Sequence, residues 1–266
     1  MPRPKLNRTN EKAYNKFGSL MIISNYRGAN DIDVYFPEYN WTFYNTIYKD
    51  FKNGHIKCPY EPRFSGVGYI GEGKYKMCEN GIETQSSIIW CSMLQRCYNS
   101  NNLLKCSTYN DCYVCDEWLN YQNFAEWYNN NYYTVNDEIM CLDKDILYKG
   151  NRIYGPDTCI FVPTKINNLF TKCNRSRGGY PIGVSFYNNK YIATCSNGYG
   201  NNKKLGRYNT IEEAFNVYKE YKEYIIKQIA EEYKEFIPFI LYEALCSYEV
   251  DVTDWKNITK KESVSF

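Results

Sequence analysis

The sequence predicts an α+β protein assembled from small modules, and three stretches carry this prediction. Residues 20–36 contain two strand-like runs. In the second run Ile32, Val34 and Phe36 alternate with Asp33 and Tyr35, as apolar and other residues do in a half-buried strand. Residues 139–172 give the order strand, loop, strand, helix. Residues 182–233 give three short strands and then one long helix.

Five ranges follow from these patterns. They are a basic arm (1–18), a strand-rich module (19–76), a ββα region (77–172), a three-stranded sheet with a helix (173–235) and a C-terminal packing segment (236–266). The arm has five Lys or Arg residues against one Glu and no apolar periodicity, so we expect it to be flexible. The last segment has more acids than bases, so we expect it to pack, and a homo-oligomer interface there stays open.

Short helices and strands are predicted before the core of the ββα region. Residues 41–51 predict a strand that leads into a short helix ending at Gly54. Apolar residues recur at spacings of three and four from 86 to 99, which predicts a helix. A strand at 113–115 precedes Asp116, a suitable N-cap for a second helix. One face of that helix would be apolar: Trp118, Tyr121, Phe124, Ala125 and Tyr128.

Composition argues against several classes of protein. No run of about 18 apolar residues is present and the first residues are not apolar, so we expect no membrane insertion and no secretion, and an intracellular location. The 12 cysteines are scattered, and we interpret most of them as reduced, buried, small apolar residues. Cys112 and Cys115 form one Cys-x-x-Cys pair with Cys97 and Cys106 upstream, but a second such pair or a nearby histidine is missing, so zinc is unlikely.

The net charge of +2 conceals a segregation of charge along the chain. Residues 165–207 contain eight Lys or Arg and no acid, whereas residues 108–145 contain eight acids and only Lys144 as a base. A basic block can neutralise phosphates, and an acidic block can supply the oxygen ligands that Mg²⁺ prefers. Two solvated surfaces of opposite charge would give the same pattern, and this alternative stays open.

The acidic block ends in Leu142-Asp143-Lys144-Asp145, where a predicted strand ends and a turn follows at 149–151. On a regular strand the carboxylates of Asp143 and Asp145 would share a face and could hold a Mg²⁺ that polarises a scissile phosphate. In the alternative, both aspartates end the strand and bond to the backbone of the turn.

This order, with Leu-Asp-x-Asp before a Gly-Asn loop and Tyr-x-Pro-x-x-Cys-x-x-Val after it, resembles the ββα (His-Me finger-like) core of the HNH homing endonucleases of phages and introns. The resemblance implies Mg²⁺-dependent phosphodiester hydrolysis in double-stranded DNA. It implies catalytic roles for Asp143, Lys144, Asp145 and Asn151, with Asn151 bracing the loop, and metal ligation by Asp143, Asp145 and Thr158. The chain departs from the family at Lys144, where the family has the histidine that deprotonates water. A lysine, with an ordinary pKa of about 10.4, stays protonated at neutral pH unless it is desolvated.

Residues 182–229 predict a sheet with a helix across one face. Asn188 and Asn189 are suitable for the first hairpin turn, and Thr210 followed by Glu213 predicts a capping box at the start of the helix. An apolar stripe would cover one face of the sheet and leave the other free: Ile211, Ala214, Phe215, Tyr218, Tyr221, Ile225 and Ile229.

The cues Gly183-Val184, Lys190-Tyr191 and Leu-Gly-x-aromatic-x-Thr-x-Glu-Glu-Ala at 205–214 are similar to the ethylene-response-factor type (AP2-like) of DNA-binding domain. The resemblance implies that the sheet enters the major groove, with Tyr191 as the aromatic contact and Lys190 as its basic neighbour. The family's first-strand arginines are missing, since Ser185 and Tyr187 stand there. We therefore expect DNA contacts to shift to other cations: Arg175, Arg177, Lys203, Lys204 and Arg207.

Three functions follow from the sequence. The first is a phage-type protein that resembles HNH homing endonucleases, binds double-stranded DNA and cleaves it in the cytoplasm of the host. The second is a catalytically inactive DNA-binding regulator or accessory protein, which the lysine at position 144 favours. The third is a structural or partner-binding protein that uses the same modules as a scaffold.

Overall fold

The computed structural model describes residues 6–99, 111–170 and 179–251, and it mixes helices and strands as an α+β chain does. The chain forms two compact units. Of the described residues, unit 1 holds 6–99, 111–130 and 152–157, and unit 2 holds 131–151, 158–170 and 179–251. Unit 2 therefore contains both the core of the predicted ββα region and the predicted sheet with its helix.

Unit 1 begins with a four-stranded antiparallel sheet in the order β1-β2-β3-β4. The elements are β1 (Lys12–Tyr14), β2 (Leu20–Gly28), β3 (Asp31–Phe36), a 3-10 turn (Pro37–Tyr39), β4 (Trp41–Thr46) and α1 (Tyr48–Lys52). The alternating residues of β3 are buried against β2 and α1, as the pattern predicts. Residues 12–14 pair with β2, so this part of the predicted flexible arm is an edge strand instead.

In the rest of unit 1, the described residues form three helices and four short strands joined by long loops. Its elements are β5 (Cys78–Glu79), β6 (Ile82–Glu83), α2 (Gln85–Tyr98), β7 (Tyr113–Val114), α3 (Asp116–Leu119), α4 (Tyr121–Asn131), which runs one residue into unit 2, and β9 (Ile153–Tyr154). The predicted helix at 86–99 and strand at 113–115 are confirmed, and Thr84 caps α2 by accepting a bond from the N–H of Ser87. Residues 153–154 pair in parallel with β7.

The helix predicted after Asp116 is divided in two. Tyr69 N donates to the carbonyl of Leu119 at 2.9 Å, and Tyr121 N donates to the carbonyl of Tyr69 at 2.9 Å. Asn120 is extended between them, so the backbone of a distant segment breaks the helix here. The predicted cap is also wrong by one position, because Cys115 is the N-cap and Asp116 is the first helical residue.

Unit 2 contains the predicted succession of strand, loop, strand and helix. The strands β8 (Met140–Asp143) and β10 (Ile160–Pro163) pair antiparallel, and α5 (Thr164–Leu169) follows directly. All four residues of β10 are buried, which fits its apolar sequence. The loop between the strands therefore starts at Lys144.

The second sheet of unit 2 consists of β11 (Val184–Tyr187), β12 (Lys190–Ser196) and β13 (Asn202–Tyr208), followed by α6 (Ile211–Tyr233) and α7 (Phe239–Cys246). Asn188 and Asn189 have φ of 50° and 55° and form the predicted two-residue turn. Thr210 and Glu213 form the predicted capping box.

Helix α6 contributes to two cores. Its first half, with Ala214 and Phe215, packs on the second sheet. Its second half, with Ile225 and Ile229, packs with β10, α5 and α7. Each fully buried aliphatic side chain contributes about 1.5 to 3 kcal/mol, so this one helix links the folding of both parts of unit 2. Among the described helices, none is both long and apolar enough to cross a bilayer.

Candidate functional site

The predicted carboxylate site is the loop that follows β8. The strand ends at Asp143, and Asp143 Oδ1 accepts hydrogen bonds from the backbone N–H of Asp145 at 2.9 Å and of Ile146 at 2.7 Å. An aspartate that accepts such bonds stabilises a turn. Because the strand has already ended, Asp143 and Asp145 do not share a face of a regular strand, and Asp145 is exposed while Asp143 is half-buried.

Lys144 is buried in this loop, with 6% of its surface exposed. Its Nζ donates to Asp145 Oδ2 at 3.2 Å and to the carbonyl oxygen of Asn151 at 3.0 Å. Asn151 Nδ2 in turn donates to the carbonyl oxygen of Lys144 at 2.6 Å. These reciprocal bonds close the loop from 144 to 151, so Asn151 lies where a residue that braces the loop should lie.

The titration of Asp143 reflects its surroundings. Burial and the neighbouring charge of Asp145 raise the pKa of Asp143 to about 6. Backbone N–H donors and the ammonium of Lys144 act in the opposite direction. The two carboxylates therefore lie close enough to interact, and Asp143 changes charge near neutral pH.

The predicted magnesium ligands of this loop already make bonds within the fold. One oxygen of Asp143 already accepts two N–H groups, and one oxygen of Asp145 accepts the Lys144 ammonium. That ammonium supplies the positive charge that a bound cation would bring to Asp145. Thr158, the third predicted ligand, is half-buried two residues before β10, and a neutral hydroxyl is a weaker ligand for Mg²⁺ than a carboxylate.

Metal-ligating side chains are also dispersed elsewhere in the described ranges. No three His, Cys, Asp or Glu residues among them are grouped as a metal site requires. Cys97, Cys112 and Cys115 form no disulfide within the described residues, and Cys106 lies outside them.

The second predicted site is the sheet of β11 to β13, and its two faces differ. Ala193 and Cys195 of β12 and Val184 of β11 pack against α6. The alternate positions of each strand belong to the other face, which we call the outer face. The register places Ser185 opposite Ile192, and Ile192 opposite Arg207.

The outer face carries three of the predicted DNA-binding cations. Lys190, Lys204 and Arg207 are exposed there, and Tyr187 beside them is 61% exposed. Lys190 Nζ donates to the side-chain oxygen of Asn209. Lys204 and Arg207 have no ion pair or side-chain hydrogen bond with any residue of the described ranges.

Two other predicted contacts lie on the face that α6 covers. Tyr191 packs with Phe186, with ring centroids 4.9 Å apart, and belongs to the partly buried rim of the core. Lys203 lies with its Nζ 4.9 Å from the centroid of the Tyr221 ring of α6. Of the two tyrosines, Tyr187 and not Tyr191 therefore lies exposed on the outer face. Arg175 and Arg177 lie outside the described residues.

Not every cation of the basic block is available to bind a ligand. Lys165 Nζ is 3.0 Å from Glu232 Oε2 of α6, so an acid outside the block neutralises it. The cations of the outer face differ from Lys165, because the segment 179–207 contains no acid that could pair with them.

Comparison of the chain with protein-family models, with curated proteins and with solved structures gives no match.

Proposed function

We propose that this chain binds double-stranded DNA with the outer face of the β11–β13 sheet. The observation that carries the proposal is the group of exposed cations there, Lys190, Lys204 and Arg207, in a segment (179–207) that contains no acid. Cations that neutralise DNA phosphates release bound counterions, which gives favourable binding at low salt. Tyr187 and Ser185 on the same face supply hydroxyl donors for phosphate or base edges.

Binding without cleavage is the form of this function that the carboxylate loop supports best. The ammonium of Lys144 is engaged by Asp145 and Asn151, and it is not placed as a free base for a water molecule. Asp143 serves the backbone of the turn. A DNA-binding regulator or accessory protein accounts for both arrangements.

The salt dependence of duplex binding tests the proposal. Fluorescence anisotropy with a labelled duplex should give a Kd that weakens steeply between about 50 and 200 mM salt. The double variant Lys204→Gln/Arg207→Gln should reduce the slope of log K against log salt by about 2, since each phosphate contact contributes roughly 0.9. Lys227→Gln, which removes an exposed charge from α6, is the matched control and should leave the slope unchanged. Failure of the wild type to bind duplex at low salt would favour the structural or partner-binding alternative.

We propose metal-dependent hydrolysis of DNA as a second candidate, on one observation. Burial, and secondly the neighbouring charge of Asp145, raise the pKa of Asp143 to about 6, and a raised pKa is common among catalytic carboxyl groups. A nicking assay on supercoiled DNA with Mg²⁺ or Mn²⁺ decides between the two candidates. Cleavage by the wild type that is lost in Asp143→Ala and Asp145→Ala would establish the nuclease, and intact DNA in all metals would leave the non-cleaving protein.

A further inference from the structure

A second surface, in unit 1, combines an exposed aromatic ring with cations. It lies at the turn between β1 and β2, where Asn15 is 6% exposed. Asn15 Oδ1 accepts bonds from the N–H of Phe17 at 3.0 Å and of Ser19 at 3.0 Å. Its Nδ2 donates to the carbonyl of Ile56 at 3.1 Å and to the carboxylate of Glu61. The buried amide thus fixes the turn against the segment 56–61.

Close backbone contact holds the same two segments together. Lys16 N donates to the carbonyl of Gly54 at 3.0 Å. Gly54 has φ of +66°, and a Cβ there would lie 3.0 Å from the carbonyl oxygen of Tyr14. Only glycine suits both the positive φ and this close approach. The chain at residue 54 can therefore approach the turn, which brings Lys57 and Arg63 beside Phe17.

The ring of Phe17 remains accessible although the turn is fixed. Phe17 is 51% exposed. Arg63 Cζ lies 5.3 Å and Lys57 Nζ lies 5.8 Å from its ring centroid, and Lys16 next to it in the chain is exposed. An exposed phenylalanine held among three cations differs from an apolar side chain that is merely left on a surface.

Arg63 has unused donors. Its side chain is 13% exposed, and that side chain makes no hydrogen bond with any residue in the described ranges. Its Nε is buried and lies 3.9 Å from Glu61 Oε2, which is likewise without a hydrogen bond there. Glu61 is 1% exposed and also engages Asn15, so it balances one positive charge and leaves a net positive surface.

We propose that Lys16, Phe17, Lys57 and Arg63, here called the Phe17 patch, bind single-stranded nucleic acid. An unpaired base stacks on the Phe17 ring, and the adjoining phosphates contact the three cations. Base stacking on an aromatic ring together with a cationic groove for the backbone is the general means of binding single strands without sequence preference. An acidic peptide would satisfy the cations but would leave the exposed ring without a planar partner.

The test uses the full chain and fluorescence anisotropy with a labelled 20-nucleotide deoxythymidine strand. Phe17→Ala should weaken binding about 5- to 150-fold, the range expected for loss of one stacking contact. Lys57→Gln should lower the salt slope by about 0.7. Tyr44→Ala is the matched control, because Tyr44 is a 67% exposed aromatic of the same sheet and no cation of the described residues lies over its ring. Its affinity should equal that of the wild type.

Two results would overturn the proposal. One is the absence of oligonucleotide binding by the wild type at low salt, and the other is equal affinity of Phe17→Ala and Tyr44→Ala. Binding of poly-glutamate in place of the oligonucleotide would instead assign the patch to an acidic protein. The test is independent of the outer face, since Lys204→Gln/Arg207→Gln should leave single-strand binding by the Phe17 patch in place, and Phe17→Ala should leave duplex affinity unchanged.

Discussion

In the loop after β8, the ammonium of Lys144 is buried and bonded to Asp145 and Asn151, whereas on the outer face of the second sheet Lys204 and Arg207 are exposed and bond to no described side chain. The two regions belong to the same unit and are about sixty residues apart in the chain. This difference distinguishes charged side chains that stabilise the fold from charged side chains that can bind a ligand. A charge with partners inside the fold contributes mainly to stability, and a charge without them is available to a ligand.

The largest expected effect is on the loop. Lys144→Met keeps most of the apolar volume but removes the donor to the Asn151 carbonyl, so we expect the free energy of unfolding to fall by about 2 to 3 kcal/mol. Urea denaturation followed by circular dichroism measures the change. Lys227→Met, on the exposed side of α6, should change stability by less than about 0.5 kcal/mol. Equal losses in the two variants would show that Lys144 is no more structural than a surface lysine.

Unit 1 offers an independent case of an internally satisfied charge. Asp33 accepts bonds from Arg27 Nη1 and Nη2, both at 2.7 Å, and from the N–H of Asn45 at 3.0 Å. We expect Asp33→Asn to cost about 2 kcal/mol near pH 7, because hydrogen bonds to a charged group are stronger than neutral ones.

This cost should depend on pH in a defined direction. The bonds from Arg27 lower the pKa of Asp33 from 3.8 to about 2. Since the folded pKa lies below the unfolded one, the ionised carboxylate contributes stability above pH 3.8 that is lost as the pH falls through about 2. The difference in unfolding free energy between wild type and Asp33→Asn should therefore shrink between pH 5 and pH 2. A difference that stays constant over this range would remove Asp33 from the argument.

Lys203 and Lys204 allow the two faces of the sheet to be compared directly, because they are neighbours in the chain on opposite faces. Lys204→Gln should weaken duplex DNA binding by about 1 kcal/mol, roughly fivefold, and leave stability unchanged. Lys203→Gln removes the contact with Tyr221 and should leave duplex affinity within about twofold of the wild type. Titration of the same labelled duplex with both variants makes the comparison direct. If the two variants lose affinity equally, the face of the sheet does not decide which lysine binds.

The faces of these two lysines could not be predicted from the sequence. Tyr191 pairs with Tyr208 and Ala193 with Gly206, but the register shifts after Ala193, so that Thr194 pairs with Lys204. A bulge of one residue reverses the faces of residues 202–204 of β13 relative to residues 206–208, and without it Lys204 would face α6. Local patterns, in contrast, were sufficient for the Asn188-Asn189 turn and for the capping box at Thr210.

Other features of the structure also differ from the prediction because they depend on how the chain folds rather than on local sequence patterns. The break at Asn120 depends on the backbone of Tyr69, some fifty residues away, and helical periodicity carries no sign of it. The burial of Lys144 depends on the loop folding back so that the carbonyl of Asn151, seven residues later, accepts its ammonium, although the bracing role of Asn151 was expected from the resemblance. For the Phe17 turn, a single asparagine between a tyrosine and a lysine gives no signal that its side chain is buried.

The smallest expected effect concerns the hairpin that carries Tyr187 and Lys190. Asn189 has φ of 55°, which glycine adopts without strain, so Asn189→Gly should stabilise the protein by about 0.5 kcal/mol. Duplex affinity should not change, because the turn backbone is already in this conformation. Thermal denaturation measures the first effect, and a loss of stability would show that the asparagine side chain has a role of its own.

Amide chemical shifts of the isotope-labelled full chain, recorded during titration with a short DNA duplex, test the central claim most directly. The outer face of the second sheet is proposed as the duplex-binding surface, so the largest shifts should belong to residues of β11, β12 and β13, with Lys190, Lys204 and Arg207 among them. The amide shifts of residues 143–151 should change little. Saturable shifts confined to other parts of the chain, with the sheet unaffected, would contradict the account.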